Sequence, residues 1–138
     1  MKKILLFAAL ILSTGFTIGQ SLQKGNILGF HNGTFILNPD VSLNQCMSFM
    51  KDKYFPEFEK NFPGVKCYVL KGTRGEGTDF ISVIYLFSSD EVRNKYWKSE
   101  GTYTELGTAA AEEMKSADEE MGKYMKNVID RYTDWVVQ

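Results

Sequence analysis

The most chemically suggestive arrangement in this 138-residue chain is its single histidine, flanked two residues away on each side by glycine. His31 lies within Ile27–Leu37, where Phe30, Thr34, Phe35, Ile36 and Leu37 read as a β-strand stopped by Asn38-Pro39-Asp40. Residues 29, 31 and 33 share one face of such a strand, so Gly29 and Gly33 leave room beside the imidazole. A histidine in that recess could donate a hydrogen bond, take a proton, or ligate a metal or haem iron. The same pattern also suits a packing histidine, because strand glycines let a helix approach closely.

A second group of candidates lies further along. Tyr96-Trp97 falls at the end of a short predicted helix, with Arg93 one turn earlier, and Tyr85 falls on a predicted strand. Two rings closing over an apolar ligand, with a cation for a carboxylate and a phenol for a hydrogen bond, would make a binding site. The plainer reading is aromatic packing at a junction between helices, with Arg93 in solvent. His31, Tyr85, Arg93, Tyr96 and Trp97 are therefore the candidate ligand-binding residues, and no catalytic set is specified. No cofactor or metal motif is present: no second histidine exists, and no carboxylate pair has ligand spacing near His31. The loop Gly72–Thr78 is glycine-rich but lacks the P-loop pattern and leads into a strand. No Gly-x-Ser-x-Gly elbow is found.

The elements that must hold these residues follow from periodicity. Ser42 and Gln45 form a capping box, and Leu43, Cys46/Met47, Met50, Tyr54, Phe58 and Phe62 recur at helical spacing behind it. Pro56 should kink or restart that helix, and Pro63-Gly64 ends it. Val65–Lys71 and Phe80–Phe87 read as strands joined by a short loop, hence an antiparallel hairpin. Ser88 with Glu91 predicts a second capping box and a helix to about Lys98, broken at Glu100-Gly101-Thr102. A long helix is expected from about Glu105 to Asp130, with Leu106, Ala110, Met114, Ala117, Met121, Tyr124/Met125 and Val128 as its apolar stripe. Thr133–Val137 would be a short closing strand.

The amino terminus supplies an address. Lys2-Lys3, the apolar run Ile4–Leu12 and the small polar stretch to Gly19 have the layout of a secretory signal peptide. Cleavage after Gly19 leaves 119 residues from Gln20, enough for one domain. Residues 20–26 would be a flexible leader, residues 27–138 the domain, and the destination the periplasm or the medium. The mature balance of 14 basic against 17 acidic residues argues against nucleic acid as a partner. No second segment is long and apolar enough for a membrane span. Cys46 and Cys67 are expected to stay unbridged, because a helix from 46 to 62 carries the chain ~24 Å away and the strand returns too little of that.

The order strand, helix, strand, strand, helix, strand gives an α+β, ferredoxin-like βαββαβ fold: a four-stranded antiparallel sheet with helices on one face. Strands one and three are apolar on both faces, so the second face needs a cover, most simply another copy of the chain. With Phe62-Pro63-Gly64-Val65 and Ser89-Asp90-Glu91-Val92-Arg93, this pattern resembles the dimeric α/β-barrel superfamily. The resemblance implies a homodimer and a pocket between sheet and helices for a small apolar or aromatic ligand. The superfamily includes cofactor-free monooxygenases, haem-degrading enzymes, stress-responsive barrels and members without known activity. The expected function is therefore an exported small-molecule-binding protein. The alternatives are a cofactor-free or haem-related monooxygenase-like enzyme, or a structural homodimer without a site. Haem-degrading relatives carry their histidine on a helix, so that role does not transfer to His31.

Overall fold

The computed structural model describes residues 21–78 and 81–138, with only the backbone described for residues 127–130. The expected signal peptide, residues 1–19, lies outside the described residues. The elements are β1 (Ile27–Leu37), α1 (Leu43–Phe49), a π-helical turn (Met50–Tyr54), α2 (Phe55–Asn61), β2 (Val65–Lys71), β3 (Ile81–Phe87), α3 (Asp90–Tyr96), α4 (Glu105–Glu113), α5 (Lys115–Met121) and β4 (Met125–Val136). The strands form one antiparallel sheet in the order β2-β3-β1-β4. That order, with helices crossing between β1 and β2 and between β3 and β4, is the ferredoxin-like fold.

Local chemistry accounts for most of these boundaries. The Ser42 side chain accepts from the Gln45 amide, and the Gln45 side chain accepts from the Ser42 N–H, so both ends of the capping box are made. Pro56 does not break the following helix. The chain widens instead into a π turn, with the Phe55 N–H bonded to the Met50 carbonyl, before α2 resumes with its proline in the first turn. Proline is tolerated there because a first-turn N–H lacks an intrahelical partner anyway. The α3 cap is Ser89 rather than Ser88: its hydroxyl accepts from the Val92 amide.

The largest departure from expectation is at the carboxyl end. The helix expected to reach Asp130 stops at Met121, and a twelve-residue strand, not a five-residue one, follows from Met125. Strand β1 is eleven residues long and pairs with β4 along all of it, from Ile27 opposite Val136 to Leu37 opposite Met125. A helix through Asp130 would leave Gly33 to Leu37, nearly half of β1, without that ladder. Tertiary pairing thus overrides a helical apolar stripe. Asn26, expected in a loose leader, is buried: it donates to the Ser88 carbonyl at 2.9 Å and its own carbonyl takes the Val137 N–H.

The helices pack on the face formed by the odd-numbered residues of β1, β2 and β3. Ile27, Val65, Cys67, Val83 and Phe87 there join Cys46, Phe49, Met50, Phe55, Phe58 and Phe62 from the first helical layer, with Met114 and Met121 from the second. Phe58 and Phe62 stack at 4.3 Å, and Phe62 is fully buried. On the opposite face Leu28, Phe30, Ile84 and Trp135 line an apolar hollow. Tyr68, Leu70 and Trp135 are 42%, 43% and 60% exposed. Cys46 and Cys67 are both buried and unbridged.

Gly107 sets the closeness of α4 to the end of α3. A Cβ built there would lie 2.1 Å from the Tyr96 carbonyl oxygen, a backbone atom that cannot rotate away. Gly107→Ala is expected to destabilise the domain by about 1–3 kcal/mol, the usual range for overpacking, read as a lowered midpoint in urea denaturation. An unchanged midpoint would mean that the two helices can separate freely.

Candidate functional site

The cavity with the most aromatic walls lies between the sheet and the helical layer. Its volume is about 210 Å³, and its floor is His31 on β1, Tyr85 and Phe87 on β3 and Tyr132 on β4. Strand register explains the floor: His31 is directly opposite Val83 and Tyr132, and Gly29 is opposite Tyr85 and Asp134. The space beside Gly29 is taken by neighbouring rings, since a Cβ there would meet Phe87 at 3.2 Å and Tyr132 at 3.3 Å. His31 packs edge-on to Tyr85 at 5.1 Å and tilted to Tyr132 at 4.7 Å.

The roof comes from Phe58 on α2 and from Trp97, Gly101 and Tyr103 in the connection between α3 and α4. That connection is a small closed loop. Trp97 and Tyr103 form an isolated antiparallel bridge, the Lys98 N–H donates to Thr102 and the Gly101 N–H donates to Lys98. Trp97 sits 5.2 Å from Phe62, 5.5 Å from Phe87 and 5.5 Å from Tyr103, so the rings of roof and floor form one packed group. Offset and edge-on contacts of this kind contribute about 0.5–1.5 kcal/mol each beyond area burial.

Arg93 is the charged side chain in the cavity wall, and it is only 6% exposed. Its Nε donates to Asp134 Oδ2 at 3.1 Å, and one terminal nitrogen donates to the carbonyls of Trp97 at 3.2 Å and Lys98 at 2.8 Å. Burial opposes its charge, but Tyr132 and Asp134 outweigh that and hold its pKa above the usual arginine value. The Tyr132 hydroxyl donates to the other oxygen of Asp134. Burial first, and the bond to Asp134 second, push the Tyr132 phenol up to about 12, against a smaller opposing effect of Arg93.

Of the five residues singled out from the sequence, His31, Tyr85, Arg93 and Trp97 meet at this cavity. Tyr96 does not. It is buried behind Trp97, with its hydroxyl donating to the Pro63 carbonyl at 3.1 Å. Arg93 is neither solvated nor an unoccupied cation. No strand pattern in the sequence covers Tyr132, Phe58 belongs to the helix stripe, and Tyr103 lies between the expected helix break and the helix from Glu105. Asn32 points to the open face, where it accepts from the Ser82 hydroxyl at 3.0 Å.

No family model matches this sequence, and no curated protein matches it. Among solved structures, the chain is similar to a protein from Bacteroides thetaiotaomicron described as a "Putative antibiotic biosynthesis monooxygenase", at 12% identity and a TM-score of 0.45 over 82% of this chain and 90% of that one. It is also similar to a "dimeric protein of unknown function and ferredoxin-like fold" from Bacteroides fragilis, at 14% identity and a TM-score of 0.40 over 83% of this chain and 98% of that one. Likeness at this level says nothing of chemistry, and the ferredoxin-like assignment rests on the strand order itself.

Two measurements probe the ionic group in the wall. Asp134→Ala leaves the buried Arg93 without its anion. The expected loss is about 2–3 kcal/mol in chemical denaturation, below the 3–5 kcal/mol of a fully buried pair because Asp134 keeps some exposure. The raised Tyr132 phenol stabilises the fold fully below pH 10, the unfolded value, and that contribution fades as the pH rises towards 12. The stability difference between wild type and Tyr132→Phe should therefore be constant up to about pH 9.5 and shrink above pH 10. A difference that grows with pH would reverse the assignment.

Proposed function

We propose that this chain is an exported protein that binds a small apolar or aromatic molecule in the cavity between sheet and helices, and that it works as a homodimer closed through the open sheet faces. The observation that carries the binding reading is the cavity's composition: aromatic rings on floor and roof, with the Arg93 charge already paired to Asp134 within the wall. Ligand sites are typically concave, mainly apolar and provided with a few fixed polar groups. The rings offer stacking area, and His31 and Tyr85 supply polar atoms within it. The dimer reading is supported by Trp135, Tyr68 and Leu70, which are large and substantially exposed on a face that also holds an apolar hollow. The signal-like amino terminus supports export.

Native mass spectrometry of the protein recovered from the exported fraction tests all three parts. The expected result is a dimer of chains beginning at Gln20 that carries additional non-covalent mass. His31→Ala should lose that mass, or at least about tenfold in affinity for it, with the thermal midpoint little changed. If His31→Ala keeps the bound mass and only lowers the midpoint, His31 is a packing residue and the site reading fails. Trp135→Glu should give a monomer that still carries the mass. A bare wild-type monomer would remove both the dimer and the ligand.

A further inference from the structure

The cavity is not the only space behind these rings. A second one of about 150 Å³ shares His31 and Tyr85 with it and is otherwise walled by Met50, Met121, Met125, Phe35 and Val83. Tyr54 lines a further side and donates its hydroxyl at 2.8 Å to Asp118. Burial, with Tyr85 and Asp118 adding to it, raises the Tyr54 phenol well above its usual range, so it stays protonated and bonded. Among the described residues, no charged side chain lines this rear chamber. Three thioethers make an adaptable wall, because methionine is unbranched, polarizable and able to follow an irregular guest.

We infer that the molecule bound here is bipartite: a neutral aromatic head in the front cavity, joined to a slender apolar tail that passes His31 and Tyr85 into the methionine-lined chamber. This rests on the reading that the front cavity binds a small molecule, and it deepens that reading by naming the ligand's chemistry. Neutrality of the head follows from Arg93. The wall already holds Asp134 against its guanidinium at 3.1 Å, so an anionic head would set a second negative charge beside Asp134 for one cation to serve. A cationic head would face the guanidinium itself. A phenol or quinone ring meets neither penalty. The length of the tail follows from the volume. At roughly 30 Å³ per heavy atom, the share of a water in the liquid, the rear chamber takes a chain of about four to six carbons. Methionine, phenylalanine and valine side chains make up most of its wall, so a hydrocarbon guest gains dispersion contacts there that water does not.

The probes are phenol and its 4-n-alkyl derivatives from methyl to octyl, titrated calorimetrically into the full mature protein at pH 7, with 4-butylbenzoate as the charged comparison. For wild type the dissociation constant should fall about threefold to fourfold per added methylene, as for complete burial of each CH₂, and level off at four to six carbons. The benzoate should bind at least tenfold more weakly than the phenol of equal tail length. Met121→Phe, which narrows the rear chamber, should bind phenol like wild type but level off at a shorter tail. If that variant does not unfold cooperatively, Met125→Phe narrows the same chamber from a half-buried position and gives the same reading. A length dependence that levels off at the same tail length in the narrowed chamber would put the tail elsewhere and overturn the inference. Phenol binding with no length dependence in wild type would make the rear chamber a packing void, again overturning it while leaving the cavity as a binding site. Failure of wild type to bind any member of the series would remove the binding reading as well.

Discussion

The bonds of Arg93 connect three of the elements that bear on the cavity. Arg93 stands on α3, Asp134 near the end of β4, and the carbonyls of Trp97 and Lys98 at the start of the roof loop. A guanidinium carries five donors in a rigid fork, so a single side chain can tie helix, strand and loop together without leaving its charge bare. Removing a charge from water is expensive, and such a group persists only where partners surround it. Here those partners are the carboxylate and the carbonyls. Their arrangement fixes where Trp97 lies over Phe87 and where Tyr132 lies beside His31. The ion pair thus acts less as glue than as a reference point from which roof and floor are measured.

The sheet divides the chemistry of the chain by parity. Odd-numbered positions of β1 and β3 face the helices and carry the core and the cavity floor, while Leu28, Phe30, Ile84 and Trp135 face the other way. Few sheets are apolar on both sides unless both sides are covered. The alternation also separates two kinds of mutation. On β1 and β3, changes at even positions act on what meets the open face and changes at odd positions act on the cavity; on β4 the parity is reversed, with Tyr132 and Asp134 at the cavity and Trp135 on the open face. A protein built this way can vary what its two sheet faces meet almost independently, with the backbones of β1, β3 and β4 as their shared part.

How much of this was legible in the sequence depended on distance along the chain. The β1 strand, the β2–β3 hairpin and the Ser42 capping box are encoded within a few residues, and they were read at or near their observed bounds. The end of the chain was not. Residues 125–130 continue a helical stripe, and what makes them a strand is the length of β1, nearly a hundred residues earlier. Asp134 falls inside the expected closing strand, but its pairing with Arg93, 41 positions earlier, follows only from how that strand docks beside α3. Tyr132 becomes visible as a neighbour of His31 only after the register is known. The pocket's general location was accessible from Gly29, His31 and Gly33, since a strand's parity is local. The use of the space was not, because the rings that fill it arrive from β3 and β4.

The two unbridged thiols have a consequence for how openings of this fold can be timed. Cys46 is sealed under the first helix and Cys67 sits on β2 against the core; burial raises the pKa of both, leaving little thiolate at neutral pH. Neither sulfur can react with an alkylating reagent until its own layer parts from the other. Each thiol is therefore a clock on a different hinge: one ticks when the helix lifts, the other when the edge of the sheet frays. If the two clocks keep the same time, the layers open only together, and any guest between them leaves at the pace of global unfolding. If Cys46 runs faster, the helical layer is a door that swings while the sheet stands still.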